Sequence, residues 1–317
     1  MHRTLLIDDP EAESYAGSIR DHFPNLDVIA GTTPDLSRKS LPACDAAITF
    51  GGNWDRAWVS HAPRLRWIQA LSTGTDHFKA ALVDRPDVIL TSCRGIHGRS
   101  VSEHALMMML ALSRRLPSIL EAQRNGQWVR QTGELLAGKT VGIAGMGVIG
   151  RALAQRCRAC EMTSIGFGSV LRDEDAVDRF ATYADLVHIA PRLDFLVVVM
   201  PLTAQTSGLI DSPIFEAMKP TGFLVNVGRG ATVVEADLID ALRAGRIAGA
   251  ALDAFTDEPL REESPFWTMP NVIVSPHVAG SHSGYFEDSM AILRGNIAAY
   301  LADRPAEMVN RVDFAKA

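Results

Sequence analysis

The segment Thr140–Cys160, TVGIAGMGVIGRALAQRCRAC, decides the fold of this chain. Its apolar first residues predict a short buried strand, and the residues after the last glycine predict a helix. Between them, Gly145, Gly147 and Gly150 form the pattern G-x-G-x-x-G, which in this context is typical of a turn that binds the phosphates of a dinucleotide. Gly145 permits the tight turn, Gly147 lets the phosphates approach the backbone, and Gly150 lets the helix pack on the sheet. The helix start adds N–H groups and a partial positive charge for the phosphates.

The end of the same segment contains a C-x-x-C pattern, formed by Cys157 and Cys160, which also occurs in redox and zinc sites. Helical spacing places both cysteines on one stripe with Ile149 and Leu153, and a second pair of ligands is absent from the sequence. We therefore predict that the cysteines are small core residues of a buried helical face and that the chain holds no metal.

Apolar segments alternate with helical segments on both sides of the glycine turn. From Thr140 onward, six segments predict the strands of a doubly wound sheet: TVGIAG, TSIGFG, FLVVVM, GFLVNVG, GAALDAF and NVIVSP. Four earlier segments, TLLID, DVIAG, AAITF and LRWIQAL, predict a smaller parallel sheet. The predicted fold class is α/β, with two Rossmann-like or flavodoxin-like parallel-sheet domains and a cleft between them. We expect a discontinuous substrate domain, 1–99 plus 282–317, around a dinucleotide-binding domain at 100–281.

Residues 100–116, SVSEHALMMMLALSRRL, predict a long helix. Ser100 and Glu103 match the S-x-x-E capping box, which predicts that the helix begins just after Ser100. The following residues are apolar on every face, so we expect the helix to be buried all round, between domains or between subunits.

The composition restricts the class of protein. Of the 317 residues, 47% are hydrophobic and 21% are charged, which predicts an ordered chain with a sizeable core. The formal net charge of −6 argues against binding to nucleic acid or to an acidic membrane surface. The longest apolar run, Ala105–Leu112, is far shorter than the ~20 residues that a transmembrane helix needs. With only four cysteines and no signal peptide at the start, we expect a cytoplasmic protein.

Charged and titratable residues follow the last three predicted strands. They are Arg229, then Asp253 with Glu258, and finally His277. Because the carboxyl ends of the strands of such a sheet line the ligand crevice, we expect these side chains to converge beside the dinucleotide. An arginine, a glutamate and a histidine at that place predict hydride transfer to or from a carbonyl group.

With these motifs, the chain resembles the D-isomer-specific 2-hydroxyacid dehydrogenase family over most of its length. The resemblance rests on five blocks in order: LAGKTVGIAGMGVIGRALA, VVVMPLTAQTSGLID, NVGRGATVVEADLIDAL, GAALDAFTDEPL and PFWTMPNVIVSPHVAG. Together with RGIHGRSVSEHAL, they are most similar to the glyoxylate and hydroxypyruvate reductase branch. The resemblance implies reduction of a small 2-keto acid to the D-2-hydroxy acid with NAD(P)H. It also implies a homodimer built around residues 101–115.

The resemblance implies a catalytic triad of Arg229, Glu258 and His277. Arg229 would offer its planar fork to the carboxylate and the carbonyl oxygen of the substrate. His277 would give a proton to that oxygen as hydride reaches the carbon, and would act as the base in the reverse direction. Glu258 would hold the imidazole and favour its protonated form. Asp253 would touch the cofactor near its nicotinamide and tune the same proton equilibrium.

The resemblance also implies cofactor and substrate contacts outside the triad. Besides the glycines of the turn, the expected cofactor contacts are Val148, Ile149, Met200, Pro201, Val227, Gly228, Ala279 and Gly280. In the segment LSTGTDHF, the backbone N–H groups of Ser72, Thr73 and Gly74 would grip the substrate carboxylate. Candidates for shaping the pocket are Trp54, His97, Arg99 and Tyr285. For the first three of these candidates, a purely structural role is equally open.

The choice between NAD and NADP depends on the segment Met162–Arg172, MTSIGFGSVLR. NAD-preferring members of the family place an aspartate where this chain has Gly168, and that carboxylate would repel a 2′-phosphate. Ser169 can donate a hydrogen bond and Arg172 can pair with a phosphate, so NADP(H) is the expected cofactor. Arg172, however, lies further along the chain than the basic residue of NADP-using relatives does. Three acidic residues follow it at 173–175. A solvated Arg172 that is paired with these acids is equally open.

Two other functions are compatible with the sequence. Oxidation of another small anion, such as phosphite, fits the same fold. Formate dehydrogenases look similar but carry a glutamine where this chain has Glu258, which argues against them. A dinucleotide-sensing binding protein, as in the corepressors built on this fold, is compatible with an intact triad.

Overall fold

The computed structural model describes residues 3–52 and 54–314. Its strands are β1 (Thr4–Asp8), β2 (Asp27–Gly31), β3 (Ala46–Thr49), β4 (Trp67–Ala70), β5 (Ile89–Ser92), β6 (Thr140–Ala144), β7 (Thr163–Gly168), β8 (Arg179–Thr182), β9 (Phe195–Val198), β10 (Phe223–Asn226), β11 (Gly249–Leu252) and β12 (Val272–Val274). Its α-helices are α1 (Ala12–His22), α2 (Pro34–Ser40), α3 (Arg56–Ser60), α4 (Phe78–Ala81), α5 (Gly98–Ser113), α6 (Leu116–Arg124), α7 (Val148–Ala159), α8 (Leu186–Ile189), α9 (Ser212–Ala217), α10 (Glu235–Arg243) and α11 (Tyr285–Leu301). These elements divide into two compact units.

The first unit comprises the chain up to Ile96 and from His282 onward. Its five strands are parallel and lie in the order β2-β1-β3-β4-β5, which is the order of flavodoxin-like sheets. Leu5 of β1 and Leu293 of α11 share one buried core, so the last helix of the chain completes this unit. The sequence predicted four of these strands and missed β5, which lies at an edge of the sheet.

The second unit spans His97–Ser281. Its seven strands are parallel and lie in the order β12-β11-β10-β9-β6-β7-β8. The strand order reverses between β6 and β9, and ligands of such sheets bind beside that point, at the carboxyl ends of the strands. The sequence predicted six of the seven strands and missed β8, again an edge strand. The predicted α/β class with two parallel sheets is confirmed.

Helix α5 begins earlier than the sequence predicted. Its first residue is Gly98 and its N-cap is His97, so Ser100 lies inside the helix. The buried hydroxyl of Ser100 has no hydrogen-bond partner in the part of the chain that the structure describes. Glu103 does not cap the helix but accepts a hydrogen bond of 2.8 Å from Arg156 of α7. The predicted capping box is therefore wrong.

The same helix is buried on most sides but not on all. Met107 and Leu110 are 50% and 42% exposed, although the adjacent Met108, Met109 and Ala111 are buried. A single chain therefore does not bury the helix on every face, and burial of these residues against a second subunit stays a prediction. Among the described residues, no helix is both long enough and apolar enough to cross a membrane.

Helix α7 carries the C-x-x-C pattern into the core. Leu153 and Cys157 are fully buried, and Ile149 and Cys160 pack against the same core. Burial raises the pKa of the Cys157 thiol to about 12, which keeps it protonated and unreactive. The predicted core role is confirmed. Within residues 3–52 and 54–314, no group of three or more His, Cys, Asp and Glu side chains is placed to hold a metal ion.

Candidate active site

Three neighbouring strands of the second unit end at the same level. In the register of the sheet, Asn226 of β10 lies beside Leu252 of β11, which lies beside Val274 of β12. The chain leaves all three strands at their carboxyl ends. We call the segments that follow these ends the strand-end loops (residues 227–231, 253–258 and 275–279). Arg229, Asp253, Glu258 and His277 all lie in these loops, as predicted from the carboxyl-end rule.

The side chains of His277 and Glu258 meet directly. Nδ1 of His277 lies 2.7 Å from Oε2 of Glu258, and both side chains are partly exposed, by 47% and 36%. The other carboxylate oxygen, Oε1, accepts a hydrogen bond of 2.9 Å from the backbone N–H of Phe255. The carboxylate is thus fixed at one oxygen by the backbone and presents the other oxygen to the imidazole.

The ionisation of Glu258 reflects these contacts. Burial alone would raise the pKa of Glu258, but the hydrogen bonds from His277 and from the Phe255 N–H act in the opposite direction. The charges of His277 and Arg229 add to this effect, and the net result is a lowered pKa. The arrangement therefore favours a glutamate that stays ionised beside a histidine and an arginine.

The loop that carries Arg229 is held by hydrogen bonds to its backbone. Asn226, which is buried at the end of β10, accepts a bond of 3.0 Å from the N–H of Gly228 and donates one of 3.1 Å to the carbonyl of Arg229. The hydroxyl of Thr232 donates a second bond of 2.6 Å to the same carbonyl. A Cβ at Gly230 would lie 1.8 Å from the carbonyl carbon of Phe255, so only glycine fits between these two loops. Sequence reasoning missed Asn226, although a polar residue ending an apolar strand was the available signal.

Asp253 holds the loop that carries His277. Its carboxylate, only 1% exposed, accepts bonds of 2.9 Å from each of the backbone N–H groups of Val278 and Ala279, and one from the hydroxyl of Ser275. His277 itself has a φ of +52°, a left-handed conformation that non-glycine residues rarely adopt. The bonds from Asp253 to the two following residues hold the backbone in this conformation. The predicted contact of Asp253 with a nicotinamide stays a prediction.

A histidine that the sequence did not indicate lies behind Asp253. Nε2 of His104, on α5, is 3.1 Å from the hydroxyl of Ser275 and 3.6 Å from Oδ1 of Asp253. Ser275 follows β12 directly, but its partner lies more than 170 positions earlier in the chain. Sequence spacing carries no signal for such a contact.

The glycine turn has the geometry that its pattern predicts. Gly145 has a φ of +109°, and a Cβ at Gly150 would lie 2.0 Å from the carbonyl oxygen of Gly145. Gly147 is the N-cap of α7, no side chain caps this helix, and a Cβ at Gly147 would meet no atom within 4 Å. The first N–H groups of α7 therefore have no side-chain cap, and there is space beside Gly147, which fits a phosphate group.

The loops after β6, β9 and β10 contact each other beside this turn. A Cβ at Gly145 would lie 2.7 Å from the backbone nitrogen of Met200, and a Cβ at Gly228 would lie 3.1 Å from the Met200 carbonyl oxygen. Pro201 is exposed and Val227 is buried. These four predicted cofactor residues, Met200, Pro201, Val227 and Gly228, are thus gathered with Gly145 at one end of the sheet.

The other predicted cofactor residues belong to the first turn of α7 and to the segment after β12. Val148, 54% exposed, and the partly buried Ile149 form the first turn of α7. Ala279 is buried, and a Cβ at the neighbouring Gly280 would lie 2.9 Å from the ring of His97. Gly280 therefore permits the close approach of His97, one of the residues whose role the sequence left open.

The last residue of β7 and the segment that follows it, residues 168–175, form what we call the β7 loop. A Cβ at Gly168 would lie 2.8 Å from the tip of the Phe180 ring. Ser169 is exposed, and Arg172 places its guanidinium carbon 5.1 Å from the centre of the Phe180 ring. Arg172 also donates to the carbonyl of Met146, inside the glycine turn, at 2.7 Å. Of the three predicted selectivity residues, Arg172 therefore contacts the glycine turn directly.

The predicted substrate loop belongs to the first unit. Ser72, Thr73 and Gly74 follow β4, and the hydroxyl of Ser72 donates to the carbonyl of Gly74 at 2.6 Å. Tyr285 donates its hydroxyl to the carbonyl of Leu71, next to this loop. The loop is thus folded on itself and supported from α11.

Of the remaining pocket candidates, Trp54 has a clear structural environment. It is 4% exposed, packs against Trp58 and Phe78, and donates its indole N–H to Asp8 at 2.6 Å. These contacts support a role in the core of the first unit. Arg99, by contrast, is exposed on α5.

Comparison with known proteins agrees with this geometry. The model of the D-isomer specific 2-hydroxyacid dehydrogenase NAD-binding domain matches residues 106–279, which is more than half of the chain. The chain belongs to this family. Glyoxylate/hydroxypyruvate reductase B of Pectobacterium atrosepticum is 33% identical over 313 residues, 97% of each chain.

Solved structures of the 2-hydroxyacid dehydrogenase family have the same fold. A family member from Aeromonas salmonicida has a TM-score of 0.87 at 29% identity, covering 99% of this chain and 100% of the other. An NADPH-dependent glyoxylate/hydroxypyruvate reductase from Sinorhizobium meliloti, in complex with NADP and sulfate, has a TM-score of 0.83 at 30% identity, covering 98% of each chain. As a member of this family, the protein has an NAD(P)-binding domain, and the expected resemblance is confirmed.

Proposed function

We propose that this 2-hydroxyacid dehydrogenase reduces a small 2-keto acid, such as glyoxylate or hydroxypyruvate, to the D-2-hydroxy acid. The observation that carries the proposal is the 2.7 Å contact between His277 and Glu258, with Arg229 near enough to lower the pKa of Glu258. The triad stands at the carboxyl edge of a dinucleotide-binding sheet. The relatives from Pectobacterium and Sinorhizobium carry the name of this activity and support the proposed substrate class.

Each residue of the triad has a task that its contacts allow. With Nδ1 turned to Glu258, His277 has Nε2 left to give a proton to the substrate oxygen, or to take one in the reverse direction. Glu258 holds the ring and balances the charge of the imidazolium. Arg229 binds the substrate carboxylate and draws charge toward the carbonyl oxygen with a fixed positive group. A bound NAD(P)H supplies the hydride.

The residues of the second unit fit a dinucleotide. The uncapped start of α7 and the open space in front of Gly147 would receive its phosphates. We propose NADP(H) as the favoured cofactor, because Gly168 provides no carboxylate to repel a 2′-phosphate and Arg172 lies beside the glycine turn. The Sinorhizobium relative, described as NADPH-dependent, supports this choice.

The remaining roles are proposals of the same kind. We assign dinucleotide binding to 100–281 and substrate binding to 1–99 plus 282–317, where the N–H groups of Ser72, Thr73 and Gly74 would bind the carboxylate. The exposed Met107 and Leu110 on α5 support a homodimer built around this helix. The four cysteines are free thiols, which supports a cytoplasmic location.

A panel of 2-keto acids of increasing side-chain size, assayed with NADPH and with NADH, tests the proposal. We expect turnover of glyoxylate and hydroxypyruvate, with the higher kcat/KM for NADPH. A clear advantage for NADH would refute the cofactor choice alone. Negligible turnover of every 2-keto acid, with a dinucleotide nevertheless bound, would favour a dinucleotide-sensing binding protein.

A further inference from the structure

Glu174 is a buried acid in an exposed segment. Its side chain is 3% exposed, although Asp173 and Asp175 on either side of it are exposed. Its carboxylate oxygen Oε2 lies 3.0 Å from Nη2 of Arg151 and 3.0 Å from Nη2 of Arg172. Two guanidinium groups therefore share one carboxylate.

The two arginines come from the elements that surround the glycine turn. Arg151 lies in the first turn of α7, and Arg172 lies in the β7 loop. Arg172 is further fixed by its bond to the Met146 carbonyl and by its position over the Phe180 ring. The guanidinium pair is therefore anchored at the end of β7, where dinucleotide-binding folds recognise the 2′ position of the adenosine ribose.

This arrangement is an anion-binding site that already contains an anion. The guanidinium groups are solvent-accessible, since the two arginine side chains are 57% and 48% exposed, whereas the carboxylate between them is not. A phosphate with two negative charges matches two guanidinium forks at least as well as a carboxylate does. A ribose hydroxyl can accept a hydrogen bond from an arginine, but it carries no charge and gains less than a phosphate does.

We propose that Glu174 occupies an anion-binding site formed by Arg151 and Arg172 and competes there with the 2′-phosphate of NADPH. Glu174 thereby sets how strongly the protein distinguishes NADPH from NADH. This inference rests on the proposed function to the extent that a dinucleotide binds to the second unit. Glu174 is a specificity-determining residue, and the advantage of NADPH is smaller than the two arginines alone would provide.

Equilibrium binding without substrate tests this inference. The dissociation constants of NADPH and NADH are measured by fluorescence titration for the unmodified protein and for Glu174→Gln, which removes the charge and keeps the shape. We expect the Kd of NADPH to fall by about fivefold, the upper range for a partly exposed charge pair, and the Kd of NADH to change by less than about twofold. Adding Arg172→Gln to Glu174→Gln should abolish the gain.

Asp173→Asn is the matched control, because it removes the same charge from the adjacent exposed position. We expect it to change the NADPH/NADH ratio of Kd values by less than Glu174→Gln does. If Glu174→Gln does not fold, as judged by circular dichroism, Glu174→Ser makes the same test with a smaller neutral side chain.

Three results would overturn the inference. An unchanged ratio in Glu174→Gln would show that the carboxylate does not compete with the 2′-phosphate. Weaker NADPH binding would show that Glu174 orients the arginines for the phosphate instead of competing with it. If the unmodified protein bound neither dinucleotide, the proposed function would fail and this inference with it.

Discussion

The strand-end loops and the β7 loop lie at the same sheet but are held in different ways. In the strand-end loops, buried Asn226 and Asp253 bind backbone N–H and carbonyl groups directly. In the β7 loop, Arg172 and Glu174 are held by a network of charged side chains with Arg151, to which Arg172 adds one bond to the carbonyl of Met146. Buried hydrogen bonds to the backbone fix a geometry, whereas ion pairs whose arginines are about half exposed, as here at 57% and 48%, adjust at lower cost. From this difference we expect the proposed chemistry to be fixed in place and the proposed cofactor preference to be adjustable.

Apart from His277, which the last experiment addresses, the largest expected effect is at Arg229. We expect Arg229→Gln to lower kcat/KM for glyoxylate by about 10²–10³-fold, because it removes the positive group from the developing charge of the transition state. Steady-state kinetics with both cofactors measures the loss. Arg243→Gln, on the exposed side of α10, is the matched control and should retain the original kcat/KM. A loss of kcat/KM below tenfold in Arg229→Gln would contradict the proposal that the strand-end loops carry the catalytic residues.

The next largest effect is expected at Asp253. Its carboxylate, at the start of one strand-end loop, accepts hydrogen bonds from the backbone of another. We expect Asp253→Asn to lower the free energy of unfolding by about 1–3 kcal/mol, because the amide group cannot accept all the bonds that the carboxylate accepts. Urea unfolding measures this change. Asp257→Asn, at an exposed ion pair of the same loop, should change stability by less than about 0.5 kcal/mol. Equal losses in the two variants would contradict the account.

Two glycines compare the packing of the glycine turn with the packing of the β7 loop. A Cβ at Gly150 meets a backbone oxygen, which cannot move aside, whereas a Cβ at Gly168 meets the tip of the Phe180 ring, which can turn. We therefore expect Gly150→Ala to cost about 1–3 kcal/mol and Gly168→Ala less than about 1 kcal/mol. Thermal and urea unfolding of both variants tests the ranking. A larger cost at Gly168 would show that the β7 loop is the more rigid of the two places.

The smallest expected effect is on the stability of the protein at acid pH. Because the pKa of Glu258 is lowered in the folded protein, its contribution to stability is complete above pH 4.5, the ordinary pKa of a glutamate, and disappears as the pH falls through the lowered value. Between about pH 6 and about pH 4, Glu258→Gln should therefore lose less stability than the unmodified protein. Urea unfolding at the two pH values measures this difference. The exposed control Glu262→Gln should follow the unmodified protein, and a parallel loss in Glu258→Gln would contradict the pKa direction.

The sequence predicted the fold well because the central strands are long apolar runs. The missed strands, β5 (ILTS) and β8 (RFAT), are both edge strands, which are paired on one side only and carry more polar residues. The capping box failed because Glu103 pairs with Arg156, a partner that spacing along the chain does not reveal.

In the candidate site, too, the sequence predicted some features and missed others. The triad followed from strand ends and from the resemblance, because residues that leave neighbouring strands at one edge are brought together by the sheet. The contacts of His104 with Ser275, and of Glu174 with Arg151, join residues of separate elements. Such contacts depend on how helices and loops pack, so no sequence pattern indicates that one acid of the run 173–175 is buried.

The central claim is that the strand-end loops carry the catalysis and the β7 loop sets the cofactor preference. The variant His277→Ala tests this claim most directly. The measurement is kcat/KM for a 2-keto acid with NADPH and with NADH, in this variant and in the unmodified protein. We predict that both values fall by about 10²–10⁴-fold, the scale of general acid–base catalysis, and that their ratio stays unchanged. Activity that persists, or a loss confined to one cofactor, would contradict the account.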